Sequence, residues 1–318
     1  MQFSGKTLFS DLYKIICTLS IAFICAQIFL VLNVPAPYFL GSLLGVWVIG
    51  ACVSRTRRVL VIPGWFYLPV VIGISVLIGT NFTPEILETA KKWLTTVSIM
   101  VIATICVTII AFQFLTRVKQ YEPKQAFLCS IPGGQAEALV MAREMVERDY
   151  VVALFHLVRV AIVFISTPIF LIVIEGQEAV ERSNVILLDM PSILDLSLFQ
   201  ASLFIGLCIS GFWVARIIRM PIPHLLGPIF LSSILHFTGI IELPRFSEFV
   251  IMAQMTIGAS VGARLAQISL LEIKNVLGDA FITSGLIIIT YLIVAILISL
   301  ISDVAFLSIW LAFVPGGL

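Results

Sequence analysis

The chain has 318 residues, 60% of them hydrophobic and 12% charged, with a formal net charge of +1. Its mean hydropathy of +1.13, with no polar block of domain size, excludes a soluble globular protein. No basic arm offers itself to nucleic acid, and Cys17, Cys25, Cys52, Cys106, Cys129 and Cys208 lack the paired spacing of a disulfide or zinc framework.

Apolar runs long enough to cross about 30 Å of hydrocarbon recur along the chain, so the expected fold is an all-α polytopic membrane protein. The predicted spans are 13–32, 36–53, 65–80, 94–116, 150–174, 197–218, 222–240, 248–264 and 279–301. The first follows Lys6 and Lys14 but is too long for a signal core and has no small-x-small cleavage site, so it reads as a retained span. Segments 125–149 and 304–318 each carry Pro-Gly-Gly and do not read as simple spans.

Orientation follows from Arg and Lys. Arg55, Arg57 and Arg58 follow the second span, Arg117, Lys119 and Lys124 follow the fourth, and Arg216 and Arg219 close the span 197–218. The stretch 175–195 is acidic, with Glu175, Glu178, Glu181, Asp189 and Asp195 against Arg182. Basic clusters in the cytoplasm and the acidic loop outside fit all of these, and only Lys91 and Lys92 go against the rule. Lys124 then lies on the same side as Arg143 and Arg148, which makes 125–149 re-entrant.

The chain also repeats itself. Pro35-Ala36-Pro37-Tyr38-Phe39-Leu40-Gly41 matches Pro221-Ile222-Pro223-His224-Leu225-Leu226-Gly227, and Pro132-Gly133-Gly134 matches Pro315-Gly316-Gly317. Gly79 and Gly262 each precede the first glycine of their Pro-Gly-Gly by 54 residues. We expect a first repeat at 8–174, an acidic external loop at 175–195, and a second repeat at 196–318. With five crossings in the first copy the second is inserted upside down, an arrangement found in secondary transporters. If 125–149 spans instead, the copies run parallel. The second copy's equivalent of Glu137 falls at position 320, so that repeat is expected to be truncated.

Proline removes a backbone donor and glycine tolerates dihedrals other residues avoid, so each Pro-Gly-Gly interrupts a helix. Irregular backbone at membrane depth survives where protein buries it or it lines a wet cavity. The helix restarting at Gln135 presents free N–H groups to the membrane middle, a seat for an anion, and Glu137 lies in its first turn as a candidate ligand for a proton or cation. The competing reading is a simple hairpin capped by Glu137. His156 and Arg159 share a helix face. Arg159 is mid-span and needs a partner, for which Glu137 and the carbonyls before Pro132 are the candidates. His156 is either a proton shuttle or a hydrogen-bonded helper. The binding set is therefore Pro132, Gly133, Gly134, Gln135, Glu137, His156, Arg159, Pro315, Gly316 and Gly317. No metal site, cofactor fingerprint or nucleophile–base pair is present in the sequence, so no enzyme is expected.

The doubled Pro-x-Pro-x-x-Leu-Gly and Pro-Gly-Gly blocks resemble the AbrB-type bacterial inner-membrane family, whose members carry a duplicated membrane domain. The resemblance runs from about residue 15 to the end and rests on Pro35, Pro37, Leu40, Gly41, Pro221, Pro223, Leu226, Gly227, Pro132, Gly133, Gly134, Glu137, Pro315, Gly316 and Gly317. It implies a multi-pass protein of the bacterial cytoplasmic membrane. Such proteins are often labelled regulators of aidB expression or ammonia monooxygenases. The residues supply no metal, haem or flavin site for the latter. The family name is also borne by a soluble DNA-binding regulator that this chain does not resemble. The expected activity is secondary transport of a small ion or organic solute, with the lipid bilayer as environment and homo-oligomerisation left open. A membrane-embedded regulator and a non-functional truncated copy are the alternatives.

Overall fold

A computed structural model describes residues 5–53, 55–82, 84, 86–133, 138, 141–142, 145–267, 274–301 and 306–313. Twelve α-helices and no strand are present among them. In chain order they are α1 (Gly5–Val31), α2 (Pro37–Cys52), α3 (Gly64–Gly79), α4 (Ile86–Gln113, running on through a π-helical turn to Val118), α5 (Pro123–Ser130), α6 (Asp149–Glu175), α7 (Gln177–Leu188), α8 (Leu198–Ile217), α9 (Pro223–Phe237), α10 (Ser247–Ala266), α11 (Lys274–Ile301) and α12 (Phe306–Phe313). Six of these are long and apolar enough to cross a membrane: α1, α4, α6, α8, α10 and α11. At 1.5 Å per residue, the 20 residues of α8 or α10 match the hydrocarbon thickness of about 30 Å. The apolar helices α2, α3 and α9 are shorter.

The helices gather into two compact units, Met1–Ala90 with Gln177–Gln267, and Lys91–Gly176 with Ile268–Leu318. Each unit draws on both copies of the sequence repeat.

In the first unit α2 lies along α10, and glycines set the approach. A methyl on Gly258 would run into Ser42 and the Phe39 carbonyl, one on Gly262 into the Leu43 carbonyl, and one on Gly50 would come within 2.6 Å of Ala266. The contact numbers climb together, so the two helices are parallel. Gly73 of α3 abuts Phe249 of α10, whereas Thr80, seven residues later, takes a hydrogen bond from Arg245, ahead of α10. Those two helices are antiparallel. Gly79 meets the Ile229 carbonyl of α9 as Gly262 meets that of Leu43, and Ile229 and Leu43 occupy matching positions in the two copies.

Backbone accidents recur as well. Asn33 (φ 51°) and Arg219 (φ 56°) are left-handed, as are Ala36 and Ile222 (both φ 48°). The first pair closes α1 and α8 with the same device: Val34 N–H reaches the Phe29 carbonyl at 3.0 Å, and Met220 N–H that of Ala215 at 2.9 Å. The second pair caps α2 and α9 just ahead of Pro37 and Pro223, whose fixed φ and missing donor suit the first helical position. His236 is a satisfied core residue. Its Nδ1–H donates to the Ser232 carbonyl and its Nε2 accepts from Leu243 N–H.

One expectation changes here. The stretch 175–195, read as an acidic loop, is largely helical: α7 seats Val180, Asn184 and Leu187 on the unit. Asn184 donates to the Val34 carbonyl and Gln177 to that of Asn33. Three buried positions at helical spacing outweigh a polar composition that reads as loop.

The second unit is built from α4, α5, α6, α11 and α12. Tyr291 of α11 donates to Thr104 of α4 at 3.0 Å. After the π-helical turn, Lys119 pairs with Asp279 of α11 at 2.6 Å and Tyr121 donates to the same carboxylate at 3.1 Å. Edge-on ring contacts link Trp310 with Phe170 and Phe313 with Tyr291.

Candidate functional site

The interruption after α5 organises a buried polar cluster in the second unit. α5 starts at Pro123, in the first helical position, and its interior is ordinary helix. At its end the Ile131 N–H still reaches the Phe127 carbonyl at 3.2 Å. The next donor in that ladder belongs to Pro132, which has none, so the Leu128 carbonyl is left without a helical partner. Ile131 is extended (φ −63°, ψ 120°), turning its own carbonyl out of the helix, and Gly133 takes φ +94°, a value side chains rarely allow.

Two side chains of α6 fill these vacancies. His156 Nε2 lies 2.9 Å from the Leu128 carbonyl, and Arg159 Nη2 donates to the Ile131 carbonyl at 2.7 Å. Arg159 Nη2 also lies 2.8 Å from His156 Nδ1. A carbonyl can only accept and a guanidinium can only donate, so the tautomer is fixed: Nε2 carries the proton and Nδ1 offers its lone pair. His156 is thereby engaged on both nitrogens as a neutral ring. Of its two expected roles, hydrogen-bonded helper fits this geometry and proton shuttle does not.

Both side chains are buried, His156 at 1% and Arg159 at 2% exposure. Arg159 sits ten residues into α6, about 15 Å from its start, near the middle of a membrane-length helix. A charge there needs partners. The described ones are peptide carbonyl and imidazole, so of the two partners expected for Arg159 the freed carbonyl is in place. Glu137, Gly134, Gln135, Pro315, Gly316 and Gly317 lie outside the described residues.

The pairing also fixes direction. Gln125 donates to the Arg148 carbonyl, Leu128 meets His156 and Ile131 meets Arg159. The numbers rise together, so α5 and α6 run parallel, and between Ser130 and Asp149 the chain returns to the level at which α5 began. Ala138 and Ala142 are buried in the core cluster that contains Leu128, Phe155 and Val158.

Sequence reasoning named the carbonyls before Pro132 as partners for Arg159 but did not foresee that the Leu128 carbonyl would serve His156. The signal was available, since Pro132 removes the donor that Leu128 would otherwise meet. It also missed Thr283 of α11, buried at 1% exposure, whose Oγ1 has no hydrogen-bond partner, and Asp279 with its two donors. Among the described residues no group of three or more His, Cys, Asp or Glu could hold a metal ion.

Comparison with known proteins finds relatives of the sequence. The family described as "Transition state regulatory protein AbrB" matches residues 43–318. A curated protein, "Uncharacterized protein YhjN" of Bacillus subtilis (strain 168), is 21% identical over 308 residues, covering 88% of this chain and 79% of the relative. No solved structure matches.

Proposed function

The chain belongs to the AbrB family, and from that premise we propose that it is a secondary transporter or permease for a small ion or organic solute, with no enzymatic chemistry of its own. The observation that carries this reading is the buried Arg159 held by the Ile131 carbonyl at the end of an interrupted helix. Intramembrane charge is expensive and marks solute or ion paths, and broken helices at matching places in two repeats are the substrate-binding device of many carriers. On this reading the copies are inverted, 125–149 is re-entrant, and the protein resides in the bacterial cytoplasmic membrane. The parallel course of α5 and α6 and the antiparallel course of α3 and α10 support that arrangement. Glu137 handles charge at the break, and His156 holds Arg159 in place. The regulatory wording of the family description is accommodated if the transported solute is one that a separate regulator senses.

Reconstituted vesicles test the proposal. Under an imposed pH gradient, a screen of labelled small anions, cations and neutral solutes is expected to reveal protein-dependent flux that Glu137→Gln impairs while insertion stays normal. Absence of flux for every class, with a soluble regulator co-purifying in stoichiometric amount, would establish a non-transporting regulator instead. Accessibility labelling of cysteines replacing Lys124 and Arg148 is expected to place both on one side of the bilayer.

A further inference from the structure

We infer that Arg159 of α6 and Thr283 of α11 together form a binding site for a small anion, in organic form a carboxylate. The inference rests on the carrier reading for its purpose and on the packing of the second unit for its existence.

The two residues lie on helices that pack against each other. Along α11, Ala280, Thr283, Ile287 and Tyr291 follow one another at helical spacing and are all buried at 2% exposure or less. Ala280 belongs to the core cluster of Phe155 and Val158, and Ile287 to that of Val163. Thr283, one turn from each, therefore lies on the same buried face of α11, between the core that holds Val158 and the core that holds Val163, and Tyr291 farther along that face interacts with Arg159.

Among the described residues both keep donors that nothing takes. Threonines inside these helices ordinarily return their hydroxyl to the carbonyl four residues back: Thr104 to Met100 at 2.8 Å, Thr108 to Thr104 at 2.7 Å, Thr290 to Leu286 at 2.7 Å. Thr283 makes no such bond, and its Oγ1 is buried without a partner. An orphaned buried hydroxyl asks for a partner that the fold itself does not supply. On Arg159 both described bonds use Nη2, and no described residue takes the N–H groups of Nε and Nη1. No carboxylate pairs with it among the described residues.

The chemistry selects the ligand. A guanidinium and a hydroxyl present donors and net positive charge, which repels a cation and suits an anion. Neutralising the charge in a low-dielectric surround is what makes binding favourable. The neighbours Val158, Ile162, Ala280 and Ile287 are apolar, which suits the short hydrocarbon part of a small organic acid.

Thr283→Val is the informative variant. It keeps the shape, removes only the hydroxyl, and relieves an unpaired buried group, so a purely structural residue loses nothing by it. Equilibrium dialysis of the purified full-length protein against labelled acetate, lactate, succinate, nitrate and phosphate, in a gluconate buffer of constant ionic strength, provides the measurement. At least one probe is expected to bind saturably in the millimolar range or tighter. Thr283→Val is expected to raise its Kd about tenfold, the size of one lost hydrogen bond to a charged group, and Thr283→Ser to restore it. Failure of all five probes to bind overturns the inference, as does a Kd unchanged by Thr283→Val. Binding without flux in vesicles keeps the site and removes the carrier reading. Flux of cations or neutral solutes with none of the five anions bound removes the site and keeps the carrier.

Discussion

Replacing His156 with leucine tests the account of the α5 break quantitatively. The substitution nearly preserves volume but removes one donor and one acceptor. The Leu128 carbonyl, whose helical partner Pro132 cannot supply, is left buried and unpaired at a cost of about 1–3 kcal/mol. Arg159 loses a hydrogen bond made by a charged group, about 1.5–3 kcal/mol. Added apolar burial returns roughly 1 kcal/mol, so a net loss of about 3 kcal/mol is expected. Folded fraction against SDS mole fraction, followed by circular dichroism in mixed micelles, measures it. His156→Gln keeps a donor and an acceptor on one planar group and is expected to recover about half. Adding Pro132→Ala to His156→Leu supplies the N–H that the Leu128 carbonyl lacks, so the pair is expected to be milder than the sum of its parts by about 1 kcal/mol. A His156→Leu loss below about 1 kcal/mol, or no difference between leucine and glutamine, would refute the reasoning.

Three further outcomes follow from other sites. Arg219 is exposed and left-handed at the end of α8; Arg219→Gly should stabilise by about 1 kcal/mol, read as a higher Tm, with Asn33→Gly gaining less because asparagine tolerates that region. Thr256 is fully buried with an unpartnered Oγ1 in α10, so Thr256→Val should gain about 1–2 kcal/mol in the same SDS titration, and no gain would mean that its hydroxyl is bonded. Burial, and after it the Asp279 carboxylate, push the Tyr121 phenol above its usual value near 10. The folded state keeps that proton where the unfolded chain releases it. The stability so contributed is complete below pH about 10 and is lost as pH rises through the folded value. Tyr121→Phe should flatten this alkaline decline in melts run between pH 9 and pH 11.

Much of the fold is written in hydropathy. Each of the nine predicted spans coincides with a helix, because a run of apolar residues has no other way to satisfy its backbone in lipid. The Pro-x-Pro blocks announced matching helix starts, and Pro132 with Gly133 announced the end of α5. The carbonyls freed before Pro132 were legible as partners for Arg159, whereas the pairing of the Leu128 carbonyl with His156 depends on how α5 packs on α6. Thr283 was invisible because its level relative to Arg159 depends on how α6 and α11 pack, a relation that spans more than a hundred residues of sequence. Helix α7 escaped notice because only Val180, Asn184 and Leu187 are buried in it, too few to lift a polar segment above its composition.

The assignment of α1–α3 to the same compact unit as α8–α10 governs how the protein can be made. When the ribosome has finished α3, the surface of α2 that Gly258 and Gly262 will cover has no mate, and none emerges until the second copy is translated. The early helices must wait in the bilayer as a loose group, exposed to quality-control proteases and to mispairing with neighbours. Separately expressed gene halves would each carry fragments of both units and complete neither, so a split protein should regain its fold only when the halves are inserted together.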